Sequence, residues 1–490
     1  MNKPAERSVN KAMDGDVRRP EPDLAPAPPE QTPAISRQLA DFAAGFDYDA
    51  IPDPVRQRAK VLILDAVGIA LASTQYDFSH RILAGLRALS GSGECSVIGM
   101  PGRLPLRDAV LLNGALIHGL DYDDSHLRGV VHPTSSAFPC ALGVAEQLGR
   151  SGRDVLAAYI LGMETVARIG AAAGGRFHHV GFHPTGLVAH FSCALQAGWL
   201  LGLTSAQLAM AQGAAGSTAA GSQEFLEEGA WNKRLHPGWA AVAGITAASL
   251  ARAGFIGPTR PYEGRYGLYK SHLGHHEKDV DYGAITAGLG KVWELSNVAI
   301  KPFPICGEIH ACADAALLLR EKHGLAPNQI AKVTALVSEH GLHTVAEPVA
   351  GKVRPANAYA AQFSVQYVVA ACLVRGRFGL IELEADARND GEILALAQKV
   401  EAAPDPDSMY PKYRSGGVVI KTVDGREFRH HEAINRGAGE RALTAEEIET
   451  KYHDNARLAV PERRVREIRD AVLDIDRLAA REVAQTLAAR

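Results

Sequence analysis

Long segments that are rich in alanine and glycine and follow the 3.6-residue period of an α-helix dominate residues 34–297. One of them, VRQRAKVLILDAVGIALAS, places Leu62, Asp65, Ala66 and Ile69 near one helix face. SGRDVLAAYILGMETVARIG and GWAAVAGITAASLARAG show the same pattern. Small side chains let helix axes approach closely, and helix faces that are apolar nearly all round indicate a large helical core. We therefore expect a mainly α protein whose first domain, residues 34–297, is all-helical.

A smaller α+β domain is predicted for residues 298–437, because the hydrophobic pattern changes there. IAKVTALVSEH alternates like a strand, and GGVVIKTVDGREFRHHE indicates a hairpin that turns at Asp424-Gly425. Between them, AYAAQFSVQYVVAACLVRG has a helical pattern. Residues 438–490 include ERRVREIRDAVLDIDRLAAREVAQTL, which we predict to be an amphipathic helix that packs back on the first domain. A chain of 490 residues is too long for one ordinary core, so two domains are expected.

The composition argues against several classes of protein. Residues 1–33 are rich in proline, alanine and charge, so we predict a disordered tail there. A net charge of -3 gives no reason to expect a basic face for nucleic acid or an anionic membrane. Six scattered cysteines without a CxxC pair indicate neither a disulfide framework nor a structural zinc site and favour a reducing cytoplasm. We also expect neither a membrane span nor a secretion signal, because no apolar run has the required length.

The segment from Asn113 to Pro133, NGALIHGLDYDDSHLRGVVHP, concentrates carboxylates and imidazoles in a short stretch. If its first half ends a helix, His118 and Asp121 lie three residues apart on one face. Such residues suit an active-site loop that transfers protons. Histidine and aspartate are also common metal ligands. A third interpretation is a helix end with capping and solvated acids.

The dipeptide His-Pro occurs three times, at His132, His183 and His236, each time before an apolar segment with a helical pattern. Proline favours the first helical position and keeps the preceding residue out of helical geometry. Each histidine is therefore predicted at or next to a helix N-terminus, where free N–H groups and positive potential bind anions. The same potential disfavours the imidazolium form and keeps these rings neutral. Alternatively, His-Pro is only a helix-start dipeptide.

Two further segments carry cations in apolar, turn-rich surroundings. WNKRLHPGWAA contains Lys233 and Arg234, and KPFPICGEIHACADAA begins with Lys301 and contains His310 and Asp314. Both suit a cationic clamp that holds carboxylates through charge-assisted hydrogen bonds, although solvated surface cations remain an alternative. The chain contains no GxGxxG, P-loop, GxSxG or HExxH motif. The chemistry is therefore expected from side chains alone, unless the first cluster holds a metal.

Taken together, HGLDYDDSH with its following His-Pro, GFHPTG, NKRLHPGWAA and KPFPICGEIH resemble the MmgE/PrpD family, in the same order, from about Leu39 to the C-terminus. This family includes 2-methylcitrate dehydratase, cis-aconitate decarboxylase and iminodisuccinate epimerase, which move a proton at carbon next to a carboxylate. The resemblance implies a large helical domain, a smaller α+β lid domain, a homodimer, and no metal or organic cofactor.

The resemblance also implies roles for individual residues. Asp121 and Ser125 match the acid and hydroxyl of the family's DxxxS/T pattern, and His132 matches its proton-transferring histidine, which Asp121 orients or tunes. Lys233, Lys301 and His183 would bind carboxylates and stabilise enolate-like charge. We further predict substrate contacts from four residues: Arg234, His236, Cys306 and His310.

The expected activity is that of a cofactor-independent lyase of the dehydratase type, acting on a small di- or tricarboxylic acid. An isomerase or epimerase of a substituted succinate such as iminodisuccinate is the alternative. Cys306 and His178 differ from the residues of the animal cis-aconitate decarboxylases, a histidine and an apolar residue respectively, so decarboxylation ranks lower. Cys306 is either a partly activated thiol or a small packing residue, of which we favour packing. A non-catalytic metabolite-binding dimer is the remaining alternative, against which the complete acid–base and cation set argues.

Overall fold

A computed structural model describes residues 33–489, so the predicted disordered tail lies outside the described residues except for Pro33. The helices that precede residue 300 are α1 (Ile35–Ala44), α2 (Asp53–Ser73), α3 (Asp77–Leu89), α4 (Leu106–His118), α5 (Thr134–Leu148), α6 (Gly152–Ala172), α7 (Arg176–His179), α8 (Pro184–Leu200), α9 (Ser205–Ala215), α10 (Phe225–Glu228), α11 (Asn232–Arg252) and α12 (Leu268–Leu273). Two short antiparallel ladders pair β1 (Cys95–Ser96) with β2 (Arg103–Leu104), and β3 (Ser125–His126) with β4 (Val298–Ala299).

Close helix packing follows from the small residues that the sequence places in these helices. A Cβ atom on Gly114 of α4 would lie 2.6 Å from the Cα atom of Gly238 in α11, and one on Gly162 of α6 would lie 1.7 Å from Oε1 of Gln196 in α8. These helix pairs approach at positions where a larger side chain has no space. The predicted tight helical core is therefore confirmed at the level of individual contacts.

Helix α6 is long and apolar enough to cross a membrane, and α2 with α3 passes the same test as a pair bent by 85°. In α6, however, 94% of the most apolar window is buried inside the protein. The helix also carries Glu164 and Arg168, whose side chains pair at 3.5 Å. Ser151 begins it with a capping box to Asp154, as in helices of globular cores. We interpret α6 as a core helix.

The second half of the chain contains α13 (His310–His323), β5 (Ile330–Val337), α14 (Glu339–Ala346), α15 (Val349–Val353), α16 (Ala358–Gln362), α17 (Val365–Arg375), α18 (Ala385–Arg388), α19 (Gly391–Ala397), β6 (Val400–Pro404), β7 (Gly416–Thr422) and β8 (Glu427–Glu432). Its sheet has the order β6-β5-β7-β8, with β5 and β6 parallel and the other pairs antiparallel. The predicted hairpin is confirmed, since Gly425 adopts φ +87 between β7 and β8. The predicted helical segment forms two helices, α16 and α17, instead of one.

The chain ends with α20 (Ala445–Ala456), α21 (Glu462–Leu473) and α22 (Ala480–Leu487). The prediction of one continuous amphipathic helix here is wrong, because the chain breaks between α21 and α22 to make tertiary contacts. Ile475 is buried in the break, and Asp476 accepts hydrogen bonds from Lys60 Nζ at 2.7 Å and Tyr48 at 2.8 Å. These interactions outweigh the helix propensity of the segment.

Two clusters of buried apolar residues organise the fold. One contains side chains from residues 35–300 and 443–487, and we call this part the helical body. The other contains side chains from residues 303–420, and we call residues 303–437 the α+β region. Both belong to one compact unit, so the domain limits drawn at residues 297 and 437 stay a prediction.

Candidate active site

The loop that follows α4 is held in an irregular conformation. Helix α4 ends at His118, and Asp121 then adopts φ 49, in the left-handed region that residues other than glycine rarely occupy. The Asp121 N–H donates to the carbonyl of His118 at 3.1 Å. Four residues later, β3 pairs with β4 in the register Ser125 to Ala299. This pairing brings Lys301, two residues after Ala299, beside the Asp121 loop.

Asp121 is the centre of a buried ion cluster. Lys233, in the first turn of α11, and Lys301 each place Nζ 2.9 Å from Asp121 Oδ1. Lys301 also donates to the Asp121 carbonyl at 2.8 Å. Burial alone would raise the pKa of Asp121, but the two ammonium groups outweigh it and hold this pKa well below its usual range. Asp121 Oδ2 is buried and has no hydrogen-bond partner among the described residues.

His132 lies two residues before α5, with its imidazole next to the Asp121 cluster. Its Nδ1 is 2.9 Å from the Asp124 carbonyl, which can only accept, so we assign the ring proton to Nδ1. The Nε2 lone pair then lies 4.0 Å from Asp121 Oδ1. Burial, reinforced by neighbouring positive groups that include Lys301, lowers the pKa of His132 to about 3. A neutral imidazole therefore offers Nε2 as a base beside two lysines.

The remainder of the DYDDS segment supports this imidazole. Ser125 Oγ lies 3.3 Å and Asp123 Oδ1 3.4 Å from His132 Nδ1. Asp123 also accepts from His118 Nδ1 at 2.9 Å. Although burial raises the pKa of Asp123, His118 and His132 lower it to about 2. The sequence analysis did not assign His118 and Asp123 to the site, although both lie in the HGLDYDDSH motif.

Asp124 behaves differently from its two acidic neighbours. It accepts a hydrogen bond from the Thr134 N–H at 3.3 Å and contacts the Thr134 hydroxyl. Burial raises the pKa of Asp124 to about 8, and the neighbouring carboxylates of Asp123 and Asp65 reinforce this shift. Asp124 is therefore mainly protonated at neutral pH, whereas Asp121 is ionised.

His183 is the N-cap residue of α8, as its His-Pro motif predicts. Its ring stacks on His118 with centroids 5.4 Å apart, and its Nδ1 lies 3.1 Å from Nδ1 of His236. The Nε2 atom of His183 is buried without a partner among the residues that the structure describes. Its pKa lies well below the ordinary value, first because of burial and then because of His236. Burial, more than the helix N-terminus, thus keeps this ring neutral.

The prediction that the third His-Pro motif lies at a helix start is wrong. His236 and Pro237 lie inside α11, which begins four residues earlier at Asn232. Proline early in a helix removes only one backbone hydrogen bond, here the one to the Lys233 carbonyl. Gly238 next to it packs against the Leu111 backbone, where a Cβ would lie 2.3 Å from the carbonyl oxygen. Close packing against α4 therefore sets the position of this helix.

A cavity of about 120 Å³, partly open to solvent, lies between the helical body and the α+β region. Eight of the predicted site residues line it: Asp121, Ser125, His132, His183, Lys233, Lys301, Cys306 and His310. Arg234 and His236 do not line it, so the prediction of direct substrate contacts for them is not supported. The Arg234 guanidinium lies 4.3 Å from the ring centre of Phe78, and His236 reaches the cavity only through His183.

Cys306 and His310 lie on the α+β side of the cavity. Burial raises the pKa of the Cys306 thiol, which argues against an activated nucleophile and agrees with the packing interpretation. His310 is 1% exposed, and its Nε2 lies 3.2 Å from the Ile305 carbonyl. Burial, reinforced by Lys301, lowers the pKa of His310 to about 3. Both side chains shape the cavity as uncharged groups.

Another part of the cavity wall is formed by residues that the sequence prediction did not place in the site. They are His178, Glu308, His340, Tyr410 and Arg414. His178 belongs to the RFHHVGFHP run, where an extra histidine next to a predicted site motif could have indicated it. Glu308 lies in the KPFPICGEIH motif, two residues before His310, whereas His340, Tyr410 and Arg414 come from parts of the α+β region without a motif.

Two groups of side chains, each partly in the cavity wall and partly behind it, have donors that could hold a metal ion. Nitrogens of His118, His132 and His183 lie within 4.8 Å of one another, and so do ligand atoms of Asp121, Asp123 and His132. In the second group the two lysine ammonium groups already occupy Asp121 Oδ1, which disfavours a further cation there. A third group, Asp405, Asp407 and His431, lies in the α+β region.

Comparison with known proteins gives a match over most of the chain. The family model for the MmgE/PrpD N-terminal domain matches residues 37–281, and that for the MmgE/PrpD C-terminal domain matches residues 303–477. Cis-aconitate decarboxylase of Aspergillus terreus is 29% identical, over 91% of this chain and 94% of that protein. Human cis-aconitate decarboxylase is 28% identical, over 86% and 88%. The 2-methylcitrate dehydratase of Escherichia coli (strain K12) is 24% identical, over 81% and 84%.

Proposed function

The chain belongs to the MmgE/PrpD family, and we propose that it is a cofactor-independent lyase of the dehydratase type that acts on a small di- or tricarboxylic acid. The observation that carries this proposal is the pairing of a neutral imidazole, His132, with two ammonium groups on one carboxylate, Asp121. The relatives named above are lyases whose names specify small carboxylic acids, which supports the same class.

The lysines retain donors for a substrate carboxylate. An ammonium group has three N–H donors. Lys233 uses one on Asp121, and Lys301 uses two on the carboxylate and carbonyl of Asp121. The remaining donors can bind one carboxylate beside His132 Nε2. Asp121 therefore positions both ammonium groups within a buried site.

Dehydration then follows in two proton transfers. His132 Nε2 takes the proton from the carbon next to the bound carboxylate, and the electron pair spreads onto that carboxylate, where Lys233 and Lys301 stabilise it. The pair returns to form a carbon–carbon double bond as the hydroxyl on the neighbouring carbon departs. The imidazolium gives its proton to that hydroxyl, so water leaves and His132 returns to its neutral form. The negative charges of the substrate offset the lysines and raise the pKa of His132 towards the range useful for a base.

Decarboxylation is the second candidate, and the identity to cis-aconitate decarboxylases favours it. In that reaction a carbon–carbon bond breaks, carbon dioxide leaves, and the remaining electron pair takes a proton from an acid. His132 would have to begin as imidazolium, whereas the lowered pKa of His132 favours the basic form. An epimerase would use the same proton abstraction without a leaving group. The relatives named above carry lyase names, so this alternative rests on the geometry alone.

Product analysis tests the proposal. We would incubate the protein with citrate, 2-methylcitrate, cis-aconitate and substituted succinates and follow each acid by NMR. The dehydratase proposal requires that wild type forms an unsaturated product with the same number of carbons as the substrate. The control variant His80→Gln, at an exposed position on α3, should form the same product, whereas His132→Gln should not. Loss of a carbon would establish decarboxylation, and inversion without loss would establish epimerisation. Binding without conversion of any acid would leave only a metabolite-binding protein.

A homodimer in the cytoplasm forms part of the same proposal. The resemblance to the family supports the dimer, and six cysteines without a disulfide among the described residues fit a reducing compartment. Light scattering on the purified protein should give twice the chain mass of 52.2 kDa. We also expect activity to survive treatment with EDTA, and loss of activity that zinc restores would place a metal at the three histidines.

A further inference from the structure

One part of the cavity wall is built around two histidines from different parts of the fold. His178 lies in α7 of the helical body, and His340 lies in α14 of the α+β region. Their ring centroids are 5.8 Å apart, and Tyr410 stacks on His340 at 4.6 Å. All three line the cavity. We call these three residues together with Arg414 the distal wall.

The imidazoles of the distal wall retain their hydrogen-bonding capacity. Within residues 33–489, neither the His178 ring nor the His340 ring makes a hydrogen bond to another protein group, although both rings are partly buried. Burial, followed by the proximity of His340 and Lys233, lowers the pKa of His178 to about 3. Burial also lowers the pKa of His340. Each neutral ring offers one donor and one acceptor to a ligand.

Charges at the distal wall are already paired. Arg414 Nε lies 2.7 Å from Glu308 Oε1, and Ser338 donates to Glu308 Oε2 at 2.7 Å. Arg436, which also lines the cavity, pairs with Asp314 at 3.2 Å. At the Asp121 loop, two lysines face one aspartate, which leaves a positive charge for the substrate.

A ligand therefore meets two lysines on one aspartate at the Asp121 loop, and neutral rings beside a paired Arg414 at the distal wall. A carboxylate in contact with the distal wall would lose its hydration without gaining an unpaired cation of that wall, which is costly. An amide or hydroxyl group there would satisfy the imidazoles at much lower cost. The lysine pair and the distal wall thus select for different chemical groups.

We propose that the distal wall is a specificity subsite that selects a dicarboxylate bearing an uncharged hydrogen-bonding substituent over a tricarboxylate of the same shape. This inference rests on the proposed function, because it assumes that Lys233 and Lys301 hold the carboxylate end. His178 and His340 supply the selecting contacts, and the Arg414–Glu308 pair keeps the wall free of net charge.

Isothermal titration calorimetry with three unreactive ligands, which differ only in the group added to a dicarboxylate, tests the subsite. Succinate probes the lysine end alone, tricarballylate adds a third carboxylate, and the monoamide of tricarballylate replaces that carboxylate with an amide of nearly identical shape. We expect the monoamide to bind about tenfold more tightly than tricarballylate at pH 8. A tenfold difference in affinity corresponds to the free energy of about one hydrogen bond gained or one charge left unpaired. Titrations in buffers of different ionisation enthalpy should show proton uptake with tricarballylate and none with the monoamide.

Variants from both sides of the wall separate recognition from structural support. His178→Met and His340→Phe should each remove most of the preference for the monoamide and leave succinate affinity within about twofold, since one neutral hydrogen bond is lost. His80→Gln is the matched control at an exposed position. The two histidines lie on different elements, so failure of one variant to fold leaves the other as the test.

The outcomes are distinguishable. If succinate fails to bind wild type, the lysine clamp of the proposed function fails, and this inference fails with it. If succinate binds but the monoamide has no advantage, or tricarballylate binds more tightly without proton uptake, the subsite assignment is overturned and the clamp stands. A variant that weakens succinate as much as the monoamide would show that the wall only supports the structure.

Discussion

Replacing Asp121 by asparagine removes the one carboxylate that holds Lys233 and Lys301 together. Both Nζ atoms lie 2.9 Å from the same Asp121 oxygen, so they are no more than about 6 Å apart. At that distance two positive charges repel by about 3 kcal/mol with an effective dielectric constant near 20. Breaking a buried ion pair by removing one partner costs about 3–5 kcal/mol in general. We therefore expect Asp121→Asn to lower the free energy of unfolding by about 3–5 kcal/mol at pH 7.

Urea unfolding followed by circular dichroism measures this loss, and Asp124→Asn provides a matched control three residues along the chain. Asp124 is equally buried, but its pKa of about 8 makes it mainly protonated at neutral pH. Asparagine should replace it at a cost below about 1 kcal/mol, because no charge is removed. Equal effects of the two substitutions would refute the assignment of opposite charge states to these neighbours.

The pH dependence of Asp121→Asn is a further test of the same reasoning. The pKa of Asp121 in the folded protein lies below its unfolded value, so its contribution is present above about pH 4 and is lost as the pH falls further. A difference between wild type and variant that does not shrink as the pH falls below about 4 would contradict an ionised Asp121 as its cause.

Three other expectations concern different parts of the structure. Lys301→Met should raise KM, and it should lower kcat by about a hundredfold, because the lost group stabilises developing charge. Unchanged kinetics would exclude Lys301 from the reaction. The pKa of His310 in the folded protein is about 3, below its unfolded value, so its contribution to stability is present above about pH 6.5 and falls by about 1.4 kcal/mol per pH unit below that. The stability of His310→Asn, measured by thermal unfolding, should therefore depend less steeply on pH between 4 and 6.5 than that of wild type. An unaltered slope would show that His310 titrates normally. Lys451→Met should destabilise the protein by about 3 kcal/mol, because it leaves Asp65, which lies 2.8 Å from the lysine, buried and without this partner. A variant that unfolds at the same urea concentration as wild type would contradict this.

Helical periodicity and local motifs identified much of the fold and most of the candidate site. The small residues of α4, α6 and α11 predict close helix packing because backbones can approach only where side chains are absent. The motif residues Asp121, His132 and His183 converge because a helix end and two helix beginnings face the same cavity. For these elements, local chemistry determines both the conformation and the location.

Other features depend on contacts between distant parts of the chain. His236 lies inside a helix and not at its start, because packing of Gly238 against α4 is stronger than the local preference of His-Pro. The break between α21 and α22 depends on Asp476 reaching Lys60, more than 400 residues earlier. His178 and His340 meet only because the α+β region docks on the helical body, which no local pattern specifies.

Isotope exchange at the substrate carbon tests most directly whether His132 removes a proton beside the lysine-bound carboxylate. An acid that the protein converts would be incubated in heavy water, and deuterium at the carbon next to the carboxylate would be followed by NMR in recovered substrate and in product. We expect exchange with wild type, and none with His132→Gln although that variant binds the acid normally. Deuterium incorporation at the wild-type rate by His132→Gln would contradict the account, since another group would then be the base.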